Sequence, residues 1–271
     1  MSDTGESDRA VFDRIEVVLC DLDGVVWLSH RAIPGAPEAI RRLRRSGRRV
    51  VFVTNNSVSV VADHEQALAA IGIDAIGDVV TSAQAAASLV DHGESVMVCG
   101  GPGVREAVVA HGAVVIEPHA DLGSTPTTVI VGLTREVDYT MIDVASRAVR
   151  AGARFVATND DATFPTPGGL TPGAGAIVAA VSTAAGVAPV IAGKPHAPMG
   201  DLLKARCGAG FGGDTVLMVG DRWATDGLFA DVLGCPFALV RSGVTALGAP
   251  AGGVADIDVA DLAAVANVLL G

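Results

Sequence analysis

The chain has 271 residues, a formal net charge of −11 and 50% hydrophobic residues, weighted to Ala and Val with few aromatics. That length holds one large domain or two smaller ones with real cores. The acidic balance argues against nucleic acid or an anionic membrane surface as the main partner, but not against a small anionic substrate held by a local site.

In chain order, the opening stretch MSDTGESDRA is polar and acidic, without the basic start and apolar run of a signal peptide. Val-rich runs then alternate with amphipathic ones. EVVLC, RVVFVT, SVMVC, TVIVG, RFVAT, VLMVG and FALV predict strands. Between them, helices are predicted over Ala36 to Ser46, Val60 to Ile71, Val104 to His111, Tyr139 to Ala151 and Ala174 to Ala185. The first helix has Pro37 and Glu38 at its start, Arg41, Arg42, Arg44 and Arg45 toward its end, and Gly47 just beyond. Acid first and base last complement the helix dipole, so the arginines read as a solvated face rather than a phosphate site. Continuous apolar strands alternating with helices imply an α/β fold with parallel sheet.

The uncharged stretch 162–193 has a centre, GAGAIVAAVSTAAGVAPVIAG, long enough to suggest a membrane span. Its small residues, Gly186 and Pro189 instead predict a helix, a turn and a short strand. Cys20, Cys99, Cys207 and Cys235 show no paired spacing and read as free thiols of a reducing compartment. The expected protein is soluble and cytoplasmic.

Four predicted strand ends carry chemistry. Asp21 and Asp23 follow the first strand, Thr54-Asn55-Asn56-Ser57 the second, Lys194 follows APVIAG, and Asp221 to Asp226 (DRWATD) follow TVLMVG. Each has a plainer reading, as turn, cap or surface residue. Their joint position matters more, because ligands of parallel sheets bind beyond the strands' carboxyl ends, and all four groups are expected to converge on one crevice. Carboxylates, a hydroxyl with amides, and a lysine suit a divalent cation and a phosphoryl group.

These residues carry a resemblance. DLDGVVW, IPGAPEAI, VFVTNNS, ATNDDATFPTPGGLTPGAGAIVAA, AGKPHAPM and VGDRWATD resemble the haloacid dehalogenase (HAD) superfamily, and within it the NagD-like, class IIA phosphatases. The resemblance implies a Rossmann-like parallel-sheet core (1–81 and 186–271) with an inserted α/β, C2-type cap (82–185). It implies a Mg²⁺-dependent phosphatase for small phosphate monoesters of sugar, polyol, glycolate or nucleotide type. Asp21 matches the nucleophile that becomes an aspartyl phosphate, and Asp23 the acid for the leaving alcohol and base for water. Thr54, Asn55 and Asn56 match the phosphoryl-binding segment and Lys194 the cation that offsets its charge. Asp21, Asp23 (through its carbonyl), Asp221 and Asp226 match the metal site. Asn159 and Asp160, after a cap strand, are expected either to face substrate or to form a tight turn. The expected partner is a small phosphate ester, with no nucleic acid and no membrane; a homodimer through the cap is left open.

The metal loop of this subfamily usually reads Gly-Asp-Arg-Leu-Asp-Thr-Asp, whereas here Trp223 and Ala224 replace the Leu and the Asp after it. One outer carboxylate is therefore absent. The segment VMVCGGPGVREAV could be a dinucleotide loop, but its glycine spacing is incomplete. The alternatives are a non-catalytic phosphoryl-binding or regulatory protein on the same scaffold, or a phosphotransferase. A dehalogenase has no need of an acid at Asp23, a typical mutase has its cap elsewhere, and a receiver domain is about half this length.

Overall fold

The computed structural model describes residues 12–119, 125–166, 168–208 and 210–271. The acidic opening stretch, read above as unlike a signal peptide, lies outside the described residues.

From the N-terminus come β1 (Val17–Cys20), β2 (Trp27–Leu28), β3 (Arg31–Ala32), α1 (Ala36–Arg45), β4 (Arg49–Thr54), α2 (Val61–Ala70) and β5 (Val79–Thr81). Next are α3 (Ser82–Ala87), β6 (Ser95–Cys99), α4 (Pro102–Ala110), β7 (Val114–Ile116), β8 (Thr128–Val131), α5 (Tyr139–Arg150) and β9 (Arg154–Ala157). Then come β10 (Thr163–Thr166), β11 (Gly169–Pro172), α6 (Ala174–Ala185), β12 (Val190–Ile191) and α7 (Ala197–Cys207). The chain closes with β13 (Val216–Gly220), α8 (Leu228–Leu233), β14 (Phe237–Val240), β15 (Ile257–Val259) and α9 (Leu262–Leu270). Contacts divide it into two compact units. The first takes the chain up to Thr54, Glu65–Val80 and Leu203–Gly271; the second takes Asn55–His64 and Thr81–Leu202.

The first unit is built on a six-stranded sheet in the order β15-β14-β13-β1-β4-β5. β1 lies between β13 and β4, parallel to both, with Val17 beside Val216 and Arg49. A central strand buries both faces, which is why VVLC runs apolar without alternation. Val18, Leu19 and Cys20 are fully buried, and each aliphatic side chain so placed contributes about 1.5–3 kcal/mol. α1 starts after Gly35 (φ 84°), with Glu38 in its first turn and three arginines in its last. The arginines of the helix are taken up locally: Arg41 and Arg45 pair with Glu38, Arg44 with Asp78, and Arg42 donates to Asn267 of α9 at 2.7 Å. The solvated-face reading therefore describes them better than an anion site.

The second unit has a parallel sheet in the order β12-β9-β8-β6-β7. α5 and α6 close a core of Met97, Cys99, Val131, Val144, Phe155 and Val181 among others. Asp138 caps α5 by accepting the Met141 N–H at 2.7 Å, and Thr81 with Gln84 forms a capping box at α3. The centre of the uncharged stretch is resolved into α6, a left-handed Gly186 (φ 70°) and β12, and the β10–β11 hairpin precedes it. Among the described residues, no helix is long and apolar enough to cross a membrane. The glycine-rich turn before α4 is filled by the chain itself. The Gly103 N–H donates to Val58 O at 2.8 Å, and a Cβ on Gly101 or Gly103 would strike the backbone of residues 57–59. Its glycines answer to packing, not to a dinucleotide.

Candidate active site

Asp21 leaves the end of β1 with its own N–H donating to Val219 O of β13 at 2.9 Å. The chain then folds tightly. The Gly24 N–H donates to Trp27 O, and the N–H groups of Val26 and Trp27 both reach Leu22 O. Leu22 is buried while Asp23 is exposed, so the turn separates the two carboxylates that the sequence places side by side. Thr54, 3% exposed, ends β4 in the same sheet.

Asp221 follows β13, and Asp226 lies in a π-helical turn, Trp223–Gly227. Oxygens of Asp21, Asp221 and Asp226 all lie within 4.8 Å of one another. Asp221 accepts the Val244 N–H at 2.5 Å, and Asp226 accepts the Arg222 N–H at 3.3 Å. Three glycines make room for this cluster. A Cβ on Gly24 (φ 88°) or Gly243 would overlap Asp221 Oδ2, and one on Gly220 would overlap the Asp226 side chain. Three carboxylates held so close repel one another unless positive charge offsets them. An oxygen-only donor set suits a hard divalent cation.

The departure at Trp223 is absorbed without disturbing the carboxylates. Its ring meets Phe237 edge-on at 5.7 Å and fills a slot left by Gly227 and Gly253, where a Cβ would collide with it. Ala224 is exposed.

The remaining predicted residues belong to the second unit. Lys194 is 2% exposed, and it follows β12, a strand of the five-stranded sheet. Of the four strands whose ends carry the expected groups, β1, β4 and β13 thus belong to one sheet and β12 to the other. β12 pairs with β9 because Val190 and Ile191 register on Val156 and Ala157. Asn55 Oδ1 accepts the Lys194 N–H at 2.9 Å, and Asn55 Nδ2 donates to Lys194 O and to Asp161 Oδ2, each at 3.0 Å. Asn159 is buried; its Nδ2 donates to Asn55 O at 2.8 Å and its Oδ1 accepts the Asp161 N–H. Asn56 Oδ1 accepts the Val58 N–H, closing an Asx turn. Asp160 is exposed and stands 3.4 Å from His196 Nε2.

Sequence reasoning passed over Asp161, Ser82 (whose hydroxyl donates to Asn55 O at 2.8 Å) and the Ser242-Gly243-Val244 turn. The turn had a signal: Ser242-Gly243 follows FALV, whose strand neighbours β13. Asp161 and Ser82 had none, since only the fold brings them to Asn55.

Two family models match the chain, one described as haloacid dehalogenase-like hydrolase over residues 18–114 and one as HAD-hydrolase-like over residues 191–263. An acid sugar phosphatase of Staphylococcus aureus is 36% identical over 234 residues, covering 84% of this chain and 87% of that protein. The chain belongs to the haloacid dehalogenase superfamily. Within that superfamily it falls among the NagD-like, class IIA phosphatases, and it is a phosphoric monoester hydrolase of that class. A D-glycerol 3-phosphate phosphatase of Mycobacterium tuberculosis is 37% identical over 246 residues, 87% of this chain; the chain spans only 65% of that relative's length. A solved structure of a glycerol phosphate phosphatase from M. tuberculosis, in complex with magnesium, superimposes with a TM-score of 0.77 at 34% identity, covering 86% of this chain and 70% of that one.

Proposed function

We propose that this protein is a Mg²⁺-dependent phosphatase of small phosphate monoesters, working through an aspartyl phosphate on Asp21. The observation that carries the reading is the meeting of the Asp21, Asp221 and Asp226 carboxylates at the carboxyl ends of adjacent strands. Asp21, Asp221, Asp226 and the Asp23 carbonyl would hold Mg²⁺. The ion supplies positive charge that offsets the carboxylates and the phosphoryl oxygens. A carboxylate oxygen of Asp21 attacks phosphorus as the ester oxygen leaves with a proton from Asp23. Asp23 then takes a proton from the water that attacks the aspartyl phosphate, releasing inorganic phosphate and restoring Asp21. The exposure of Asp23 suits a group that must reach both the leaving oxygen and water.

In this reading Thr54 and the main chain of the Asn55-Asn56 segment receive the phosphoryl group and Lys194 offsets its charge, as the family pattern suggests. The segment 82–185 serves as the cap, and Asp160, with Asn159 beneath it, meets the leaving group. The names of the relatives, for glycerol 3-phosphate and acid sugars, incline the substrate toward polyol and sugar phosphates. Its free cysteines suit a cytoplasmic setting. Association through the cap would appear as a dimer mass in light scattering that is lost when cap surface residues are changed.

The test is release of phosphate from p-nitrophenyl phosphate with Mg²⁺ and with EDTA, followed by a panel of metabolite phosphates. Turnover that needs Mg²⁺ and favours polyol or sugar phosphates is expected. Tight phosphate-ester binding without turnover would replace this reading with that of a binding protein.

A further inference from the structure

We infer that Asn55 is a positioning residue, and that its side chain serves catalysis only through the main chain of Lys194. This deepens the phosphatase reading and rests on it.

A side-chain amide has two N–H donors and one oxygen. In Asn55 both donors are spent, one on Lys194 O and one on Asp161 Oδ2, and the oxygen accepts the Lys194 N–H. The orientation of the amide is unambiguous, because a main-chain N–H can only donate and a main-chain carbonyl can only accept. Asn55 thus grips both polar groups of one residue, Lys194, much as a neighbouring strand would. No donor is left over for a phosphoryl oxygen.

The grip is itself braced. Ser82 Oγ and Asn159 Nδ2 both donate to Asn55 O, at 2.8 Å each, which fixes the main chain from which the amide projects. Gly193 makes the approach feasible, since a Cβ there would lie 2.6 Å from Asn55 Oδ1 and 2.5 Å from Thr158 O. On the far side, Asp161 is held by Asn159 Oδ1 at its N–H, and its carbonyl accepts the Gly175 N–H at 3.0 Å. Such a carboxylate orients the amide as a backing acceptor orients a functional group elsewhere. Lys194 is a buried cation on a flexible stem. Fixing its main chain at both ends of the residue limits where the ammonium can reach.

The experiment is a double-mutant cycle on the full chain with p-nitrophenyl phosphate: wild type, Asn55→Ala, Lys194→Met, and both. Asn55→Ala should lower kcat about 10- to 100-fold with a smaller change in KM, the size usual when a backing partner of a functional group is lost. In the Lys194→Met background the same change should cost less than about twofold, because the group it positions is gone. An equal loss in both backgrounds would overturn the inference, showing that Asn55 acts on the substrate itself. If Asn55→Ala does not fold, Asp161→Ala takes its place in the cycle and must show the same non-additivity. Amide hydrogen exchange gives a readout independent of turnover. The Lys194 N–H should be protected in the wild type and should exchange at least about tenfold faster in Asn55→Ala; unchanged protection would also overturn the inference. Full activity in Lys194→Met would also overturn the inference, by removing the group that Asn55 positions, whereas no Mg²⁺-dependent turnover in the wild type would sink the underlying phosphatase reading, a distinguishable result.

Discussion

Two aspartates one residue apart sit in different surroundings because of the residue between them. Leu22 is drawn into the core, the chain turns on Gly24, and Asp21 joins the carboxylate cluster while Asp23 stays exposed. Asp21→Asn should abolish turnover, and Asp23→Asn should slow it about a hundred- to ten-thousandfold, measured as initial rates on p-nitrophenyl phosphate. Near-wild-type rates in Asp21→Asn would reject the nucleophile. Gly243→Ala should push Asp221 aside and raise the Mg²⁺ concentration for half activity about tenfold or more, by analogy with disturbed metal shells. Ala224→Asp should lower it, restoring a carboxylate that the family pattern carries; a titration of activity against Mg²⁺ reads both. The cysteines, by contrast, are chemically quiet. Burial pushes the Cys99 and Cys235 thiols up to about 12 and raises that of Cys207. Treatment with iodoacetamide at pH 8 should therefore leave activity intact.

Among the elements, the strands were the most legible in sequence and the pairing between them the least. β1, β4, β6, β8, β9, β13 and β14 are announced by Val-rich runs, and α6 by its flanking Gly173 and Gly186. The β10–β11 hairpin hides behind three prolines and Gly168-Gly169, which are turn formers rather than strand formers. β15 is three residues with Asp258 in the middle, held by pairing with β14 rather than by its own pattern. The carboxylates of the site were legible because motif and strand end coincide. The partners of Asn55 were not, because they come from three distant segments. The second unit also contains an acid-sensitive joint between β8, β9 and the turn before β6. Burial alone would raise the Glu94 pKa, but hydrogen bonds from Arg154, Thr128 and the Asp91 main chain outweigh it and hold it at about 2. A depressed carboxylate stabilises the fold above its unfolded pKa of about 4.5. That contribution is lost as pH falls toward about 2. Wild type should thus lose more stability than Glu94→Gln between pH 5 and 3 in thermal melts, and parallel curves would refute the role.

At the level of the whole molecule, selectivity must come from residues beyond the phosphoryl contacts, since every monoester shares those. The segment 82–185 is large enough for a core of its own. If it serves as a cap, small metabolite phosphates should be hydrolysed well and folded phosphoproteins hardly at all. Changing Asp160 should then reorder a substrate panel while sparing acetyl phosphate. A phosphoprotein turned over as fast as the best metabolite, or a uniform loss across the panel, would count against the cap.

The place of β1 between β13 and β4 has a consequence for how the protein is made. Val17 must wait for Val216, roughly 200 residues later, before its strand has both neighbours. On the ribosome this apolar strand is therefore translated well before β13 and stays half-clothed until β13 emerges. The three clustered carboxylates are split in the same way, with Asp21 about 200 residues ahead of Asp221 and Asp226. A ribosome that stops short of β13 thus releases a chain with an open sheet edge and only one carboxylate of the cluster. Truncated products should partition to chaperones and proteases rather than linger as idle enzyme.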